Sequence, residues 1–309
     1  MTDHYLTVLD LTAEEIRRVL ARAGEFKNSR RAEGVGGTIP KPLTGRTWGL
    51  LFEKSSTRTR VSFEVGINLL GGSAMFMSPD QLQLGRGEPL KDTARILSRY
   101  LDGLAVRTYG HERLEILAEW GSIPVVNALS DLCHPCQILA DLQTVQERLG
   151  RTEDFKAAWV GDGNNVAYSW IAAAIRLEFE LVLACPPGYE PEAGIMARAK
   201  EAEARVRVVN DPAEAVAGAQ VINTDVWTSM GQEEETRKRL KAFSGFQVNT
   251  DLLTQAAPEA IVLHCLPAHR GEEISDEVIE GPRSAVFDQA ENRLYAQMAL
   301  MEALSENRG

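Results

Sequence analysis

"TWGLLFEKSSTRTRVSFEVGINLL", residues 47–70, decides how this chain is read. The apolar run 47–52 is a strand, and 57–70 is a helix closed by Gly71 and Gly72. Between them stands "SSTRTR", residues 55–60, poor material for a core. It suits a ligand with several negative oxygens. Ser55 or Ser56 is the natural N-cap. A helix start offers unpaired N–H groups and a partial positive charge, Ser56, Thr57 and Thr59 add hydroxyls, and Arg58 adds a planar fork suited to phosphate. Val61, Val65 and Leu69 form an i, i+4, i+8 stripe, so Arg58, three before Val61, is expected on the packed side over the sheet end. Arg60 is rotated away and sits four before Glu64, where an ion pair makes it structural. The segment is not a Walker loop, because the glycines and the terminal Gly-Lys-Ser/Thr are missing. The plain alternative is a capped helix with solvated arginines.

Working outward, strand and helix signals alternate along the chain. An opening helix over 11–31 carries Thr12 as N-cap and Glu15 three later, a capping box. After "TWGLLF" come the strands "SAMFM", "GLAVRTY" and "IPVVNAL", separated by helices through "LKDTARILSRY" and "ERLEILAEW". A long helix follows over about 135–149. A second series supplies the strands "AAWVG", "LVLAC", "VRVV", "QVINT", "AIVLHCL" and "SAVFD", before a last helix in "AENRLYAQMALMEALSE". Such alternation predicts an α/β protein of two domains, each a mostly parallel sheet with helices on both faces. The expected parts are 1–134, a linking helix 135–150, 151–290, and the terminal helix 291–309. Ligands of open parallel sheets sit beyond the carboxyl ends of the strands, so the residues just after strands are the ones to inspect.

The 309 residues exceed what one core usually fills. A net charge of −11 argues against general nucleic-acid binding, so positive charge for an anion must be gathered locally. No apolar run of about 18 residues is present for a membrane span, and the acidic N-terminus lacks a signal pattern, which reads as cytoplasmic. Cys133 and Cys136 form a C-x-x-C without a second pair at zinc spacing. Reduced thiols are the expectation, with a redox pair the lesser reading.

In "CHPCQILADL", Pro135 takes a first helical position and makes His134 the cap. His134 and Gln137, three apart, share a face and can aim at one small carbonyl. A helix N-terminus disfavours imidazolium, so His134 is expected to be neutral and to donate a hydrogen bond. "VGDGNNVAYS" starts like a dinucleotide fingerprint and fails at the third glycine, where Val166 stands.

"SSTRTR", "HPCQ", "DVWTSMG" and "HCLPAHRG", in this order and each after an expected strand, resemble the ornithine carbamoyltransferases over essentially the whole chain. The resemblance implies transfer of a carbamoyl group from carbamoyl phosphate to the δ-amine of ornithine, giving citrulline and phosphate, with no metal and no organic cofactor. It makes 1–134 a carbamoyl-phosphate domain, 151–290 an ornithine domain, and the last helix one that returns to the first domain. It assigns Ser56, Thr57, Arg58 and Thr59 to the phosphate, and adds Arg107, His134, Gln137 and Arg293 on carbamoyl phosphate. Gln83 matches a position that reaches into a neighbouring subunit's site. Cys265 and Leu266 would contact the carbamoyl group, with Cys265 also near the reacting amine and no covalent thiol intermediate. Asn165, helped by Asn164, would hold ornithine's carboxylate. Asp225 would pair with its α-ammonium, with Ser229 and the backbone of Met230 completing the grip. Gly231 would supply a hinge, whereas Glu233, Glu234 and Glu235 read as a solvated face and His264 and His269 as structural. The partners implied are the two small-molecule substrates and further copies of the chain in a homotrimer or a multiple of trimers, with no nucleic acid and no membrane.

A lysine-like amine has a pKa of about 10.4, so near neutral pH only about one ornithine in 2500 carries a free δ-amine. The site must therefore take the α-ammonium charged, beside Asp225, and the δ-amine uncharged. The rival acceptors are aspartate, putrescine and acylated ornithine. Aspartate would want basic residues where Asp225 stands, putrescine has no carboxylate for Asn165, and acylated ornithine has no α-ammonium for Asp225. A nucleotide-binding dehydrogenase and a non-catalytic relative are the readings outside this chemistry.

Overall fold

The computed structural model describes residues 3–32, 39–78, 87–228 and 235–306. The chain divides into two compact units, Met1–Gln143 with Glu291–Gly309, and Thr144–Ala290. The first opens with α1 (Ala13–Ala32). Its capping box is formed, Thr12 N–H donating to Glu15 Oε2 at 2.9 Å and Glu15 N–H to Thr12 Oγ1 at 3.2 Å. Then follow β1 (Thr47–Phe52), α2 (Thr57–Leu69), β2 (Ser73–Met77), α3 (Leu90–Leu97), β3 (Gly103–Arg107), α4 (Glu112–Trp120), β4 (Val125–Leu129) and α5 (Pro135–Leu149). The strands lie in the order β2-β1-β3-β4, and every pair is parallel. β1 is buried from Trp48 to Phe52, as a strand covered on both faces must be.

The packed face of α2 differs from the expected stripe. Val61 is half exposed, and Val65 and Leu69 are only partly buried. The buried positions are Thr59, Phe63, Gly66 and Ile67, followed by Leu70. Gly66 explains the rotation. A Cβ there would stand 3.1 Å from Met298 Cγ, so the missing side chain is what admits the C-terminal helix. That helix, α12 (Val286–Glu306), is fixed on this unit by Arg22, which forks onto Glu302 at 2.5 and 2.8 Å, and by buried Lys27, 2.6 Å from Asn292 Oδ1.

The second unit runs β5 (Lys156–Val160), α6 (Asn165–Leu177), β6 (Glu180–Ala184), α7 (Ala193–Glu201), β7 (Val206–Val209), α8 (Pro212–Val216), β8 (Val221–Thr224), α9 (Thr236–Ala242), α10 (Thr250–Leu253), β9 (Ile261–His264) and α11 (Asp276–Ile279). Its sheet is parallel, in the order β7-β6-β5-β8-β9. "SAVFD" is not a strand. Ser284 makes one bridge to Val262, Ala285 N–H bonds Val262 O, and the chain enters α12 at Val286. The β-branched and aromatic residues suggested extended chain, but Phe287 is exposed and the helical repeat of α12 prevails over local propensity.

In each sheet the order reverses at one place, between β1 and β3 in the first and between β5 and β8 in the second. Loops leaving adjacent strands in opposite directions open a crevice at such a point. The first crevice is bordered by the turn after β1 and by the end of β3. The second is bordered by the turns after β5 and β8.

Candidate active site

Ser56 is the N-cap of α2, its Oγ accepting the Thr59 N–H at 3.3 Å and donating to Thr59 Oγ1 at 2.9 Å. Thr59 is fully buried, and Arg293 of α12 donates to its hydroxyl at 2.7 Å. The other Arg293 nitrogen donates to Gln137 Oε1 at 3.1 Å. A buried guanidinium thus locks the floor of the helix start, while Thr57 faces outward and Ser56 and Arg58 are half-buried.

The two arginines have different fates. Arg60 pairs with Glu64 at 2.9 Å and stacks 3.7 Å from the Phe76 ring. Arg58 has no hydrogen-bond or ion-pair partner among the described residues. It also stands in the first turn of a helix with no acidic residue there, where the helix dipole opposes a cation. Neither feature helps the fold. Both are relieved by an anion. Arg60→Ala should therefore lower unfolding stability by up to about 1 kcal/mol in urea titration and leave kcat/KM within about threefold of the wild type.

Arg107 ends β3 directly across from Phe52, the last residue of β1, and is buried. Its carbonyl accepts the Glu53 N–H at 2.8 Å. His134 precedes α5 and is buried too. Burial, then the charges of Arg293 and Arg107, push its pKa well below the ordinary imidazole value. The neutral imidazole expected from the sequence is present, and the main cause is burial rather than the helix N-terminus. The neighbouring Cys133 and Cys136 are free thiols that burial pushes up to about 12. They donate to Leu6 O and Asn127 O, which is core packing and not redox chemistry.

In the second unit Asn164 caps α6, its Oδ1 accepting the Val166 and Ala167 N–H groups at 2.9 and 3.1 Å. Its Nδ2 donates to Asp225 Oδ2 at 2.9 Å. Asn164 is therefore a brace for Asp225, and Asn165 stands beside it at the first position of α6, partly exposed. The other Asp225 oxygen accepts from the Cys265 thiol at 3.1 Å. The sulfur donates toward a carboxylate, a poor setting for a thiolate nucleophile. Leu266 sits in the left-handed region at φ 59°, held by its N–H, which donates to His264 Nδ1 at 2.9 Å. His264 Nε2 meets the fully buried Glu273 at 3.0 Å. Asp225, His264 and Cys265 bring ligand atoms within 4.8 Å of one another. Both His264 nitrogens are already engaged, however, so the trio lacks a free imidazole lone pair for a metal.

Glycine chemistry settles what "GDGNN" is. A Cβ on Gly163 would stand 2.3 Å from Pro191 N, so its bareness serves backbone packing against residues 190–191 rather than a pyrophosphate. Gly163→Ala is expected to cost about 1–3 kcal/mol in thermal or urea unfolding. Asp162 is held by Arg239 at 2.8 Å, and the same Arg239 nitrogen donates to Trp227 O at 2.8 Å. Burial nonetheless raises the Asp162 pKa. This buried arginine ties the turn after β5 to the segment after β8. Nothing in its sequence setting, "TRKRL", distinguished it from its solvated neighbours. Gln83, Ser229, Met230 and the hinge glycine Gly231 lie outside the described residues.

The first unit thus gathers hydrogen-bond donors at the start of α2 and the end of β3, and the second presents a fixed carboxylate beside an asparagine and a thiol. Residues 3–147 match the family model "Aspartate/ornithine carbamoyltransferase, carbamoyl-P binding domain", and residues 153–304 match the "Asp/Orn binding domain" of the same family. An ornithine carbamoyltransferase of Pelobacter propionicus is 55% identical over 305 residues, covering 98% of this chain and 99% of that protein. One from Methanoculleus marisnigri is 50% identical over 304 residues, covering 98% and 97%. The solved ornithine carbamoyltransferase of Pyrococcus furiosus superposes with a TM-score of 0.91 at 47% identity, covering 96% of this chain and 95% of that one. With both halves matched by its domain models and full-length relatives at this identity, the chain belongs to the aspartate/ornithine carbamoyltransferase family.

Proposed function

We propose that the protein transfers the carbamoyl group of carbamoyl phosphate to the δ-amine of L-ornithine, and that the residues above divide the work as follows. The phosphate docks on the α2 N-terminus, against Ser56, Thr57 and the Thr59 hydroxyl, with Arg58 closing on it. The observation that carries this is the half-buried Arg58, unpaired among the described residues at a helix start. Arg107 and neutral His134 donate to the carbamoyl oxygen, stabilising the charge that builds there as the amine attacks. Phosphate then leaves into a site already complementary to an anion. Asp225 pairs with the α-ammonium and Asn165 with the carboxylate, and Cys265 and Leu266 border the reacting group. Gln83, Ser229 and Met230 keep the roles the family resemblance gives them. Asp225 favours an acceptor with a free α-ammonium, and so ornithine over putrescine or acylated ornithine. The same resemblance supports a cytoplasmic homotrimer, which light scattering of the purified protein tests. No helix of the described residues is long and apolar enough to cross a membrane.

The test is one assay of carbamoyl phosphate with ornithine, lysine, putrescine, acetylornithine and aspartate in parallel. Ornithine should lead by a wide margin, and equal rates with putrescine would remove Asp225 and Asn165 from their roles. The free δ-amine sets the pH dependence. The kcat/KM for ornithine should rise about tenfold per unit from about pH 6 toward 8.5. His134, with its depressed pKa, is neutral throughout that window and adds no ascending limb. A flat profile would refute this account of the amine.

A further inference from the structure

We propose that His269, Glu272 and Glu273, in the turn after β9, form a structural binding site for a divalent transition-metal ion, apart from the carbamoyl-transfer chemistry. The three side chains bring an imidazole nitrogen and two carboxylate oxygens within 4.8 Å of one another. The turn that gathers them is tightly held. Gly271 stands at φ 91°, its N–H donating to Ile274 O at 2.9 Å, and the Glu272 N–H donates to His269 O at 2.9 Å. Gln247 Nε2 donates to both Gly271 O and Glu272 O, at 2.8 and 2.9 Å. Arg270, the arginine of this turn, pairs with Asp276 and Glu280 instead of with the trio.

Acidic turns are common without an ion, and Glu273 sets this one apart. Its side chain is fully buried. Oε1 accepts from His264 Nε2 at 3.0 Å and from the His269 N–H at 2.7 Å. Oε2 is buried with no hydrogen-bond partner among the described residues. A buried carboxylate oxygen left unpaired is costly, and a cation bound to it removes that cost. A distance points the same way. His269 Nδ1 and Glu272 Oε2 stand 3.5 Å apart, too far for a good N–H···O bond. Two ligands each about 2.1 Å from a tetrahedral ion stand about 3.4 Å apart. The pair is thus already spaced as neighbouring ligands, and both side chains, being partly exposed, can adjust to the fixed Glu273. One imidazole with two carboxylates suits zinc or cobalt better than magnesium or calcium, which take oxygen ligands. Glu273 also links the site inward. The Leu266 N–H donates to His264 Nδ1 at 2.9 Å, so His264 Nε2 carries the proton it shares with Glu273. An ion on Glu273 would therefore steady the turn of Cys265 and Leu266.

Cobalt(II) is the probe, titrated into the untagged, chelator-stripped full-length protein and followed by visible absorption and calorimetry. One equivalent per chain should bind. It should give the visible bands of four-coordinate cobalt without the near-ultraviolet charge-transfer band of a thiolate ligand. Zinc should displace it, and a large excess of magnesium should not. His269→Gln and Glu272→Gln should each weaken binding at least about tenfold. Both positions are partly exposed, so neither change should disturb the core. Cobalt should raise the Tm of the wild type and leave that of His269→Gln unmoved. Cys265→Ser should keep the wild-type cobalt affinity. No saturable binding at one equivalent overturns the proposal, as does binding that both glutamine variants retain. A thiolate band, or loss of binding in Cys265→Ser, places the ion at Asp225 and Cys265 and overturns it equally. None of these outcomes bears on the substrate assignments, which the acceptor assay tests separately.

Discussion

Arg58→Ala should lower kcat/KM for carbamoyl phosphate by about 10³-fold, with no loss of thermal stability. A charge-assisted hydrogen bond contributes about 1.5–3 kcal/mol, and a guanidinium fork on phosphate makes two, which sets the scale. The absence of a stability penalty is the sharper half of the expectation. Most arginine substitutions remove an ion pair or a packed stem. Arg58 has no ionic partner among the described residues, and it opposes the dipole of α2. Its loss should therefore leave Tm unchanged or raise stability by a few tenths of a kcal/mol, toward the ~0.3–1 kcal/mol of a relieved dipole clash. Arg60→Ala is expected to show the reverse pattern. Steady-state kinetics and calorimetry on both variants give a two-by-two outcome. If Arg58→Ala lost stability and kept its rate, the anion would have to be placed elsewhere.

Asp225→Ala should raise the KM for ornithine by about 10²–10³-fold and leave carbamoyl phosphate binding unchanged. Removing one partner of a desolvated charge pair costs about 2–5 kcal/mol, consistent with that range. The buried Asp225 is held at both oxygens, by Asn164 and Cys265, so its geometry is set before the α-ammonium arrives. Asn164→Ala is expected to act in the same direction and less strongly, because the carboxylate remains and only its brace is lost. The split between substrates is the measure. Calorimetric binding of carbamoyl phosphate in Asp225→Ala that fell along with ornithine would mean a damaged fold rather than a missing ammonium partner.

The motifs were legible in the sequence because each sits where a strand gives way to a helix, a junction that periodicity and capping chemistry mark locally. Ser56 as N-cap, Arg60 with Glu64, Pro135 opening α5 and the failed third glycine at Val166 all belong to that class. The expected face of α2 was wrong for a reason no local rule contains. The rotation depends on Gly66 meeting Met298, and a glycine carries no hydrophobic signal. The strand assigned to "SAVFD" failed likewise, since one bridge to β9 cannot hold extended a segment that begins a long helix.

What the sequence by itself determined is the set of local commitments: which stretches are strand or helix, which hydroxyls and charges stand at their junctions, and the family those junctions identify. Strand order is a different matter, because pairing is a long-range choice that hydrophobic pattern leaves open. Only the tertiary structure put β1 beside β3 and β5 beside β8, and so turned loops distant in the chain into the rims of two crevices. It alone brought Arg293 to Thr59 across 234 residues and to Gln137 across 156, and so set the sense of an amide that the sequence leaves readable either way. The physical reason is the same in each case. A buried donor must find an acceptor, and which one it finds depends on what the whole fold leaves within about 3 Å.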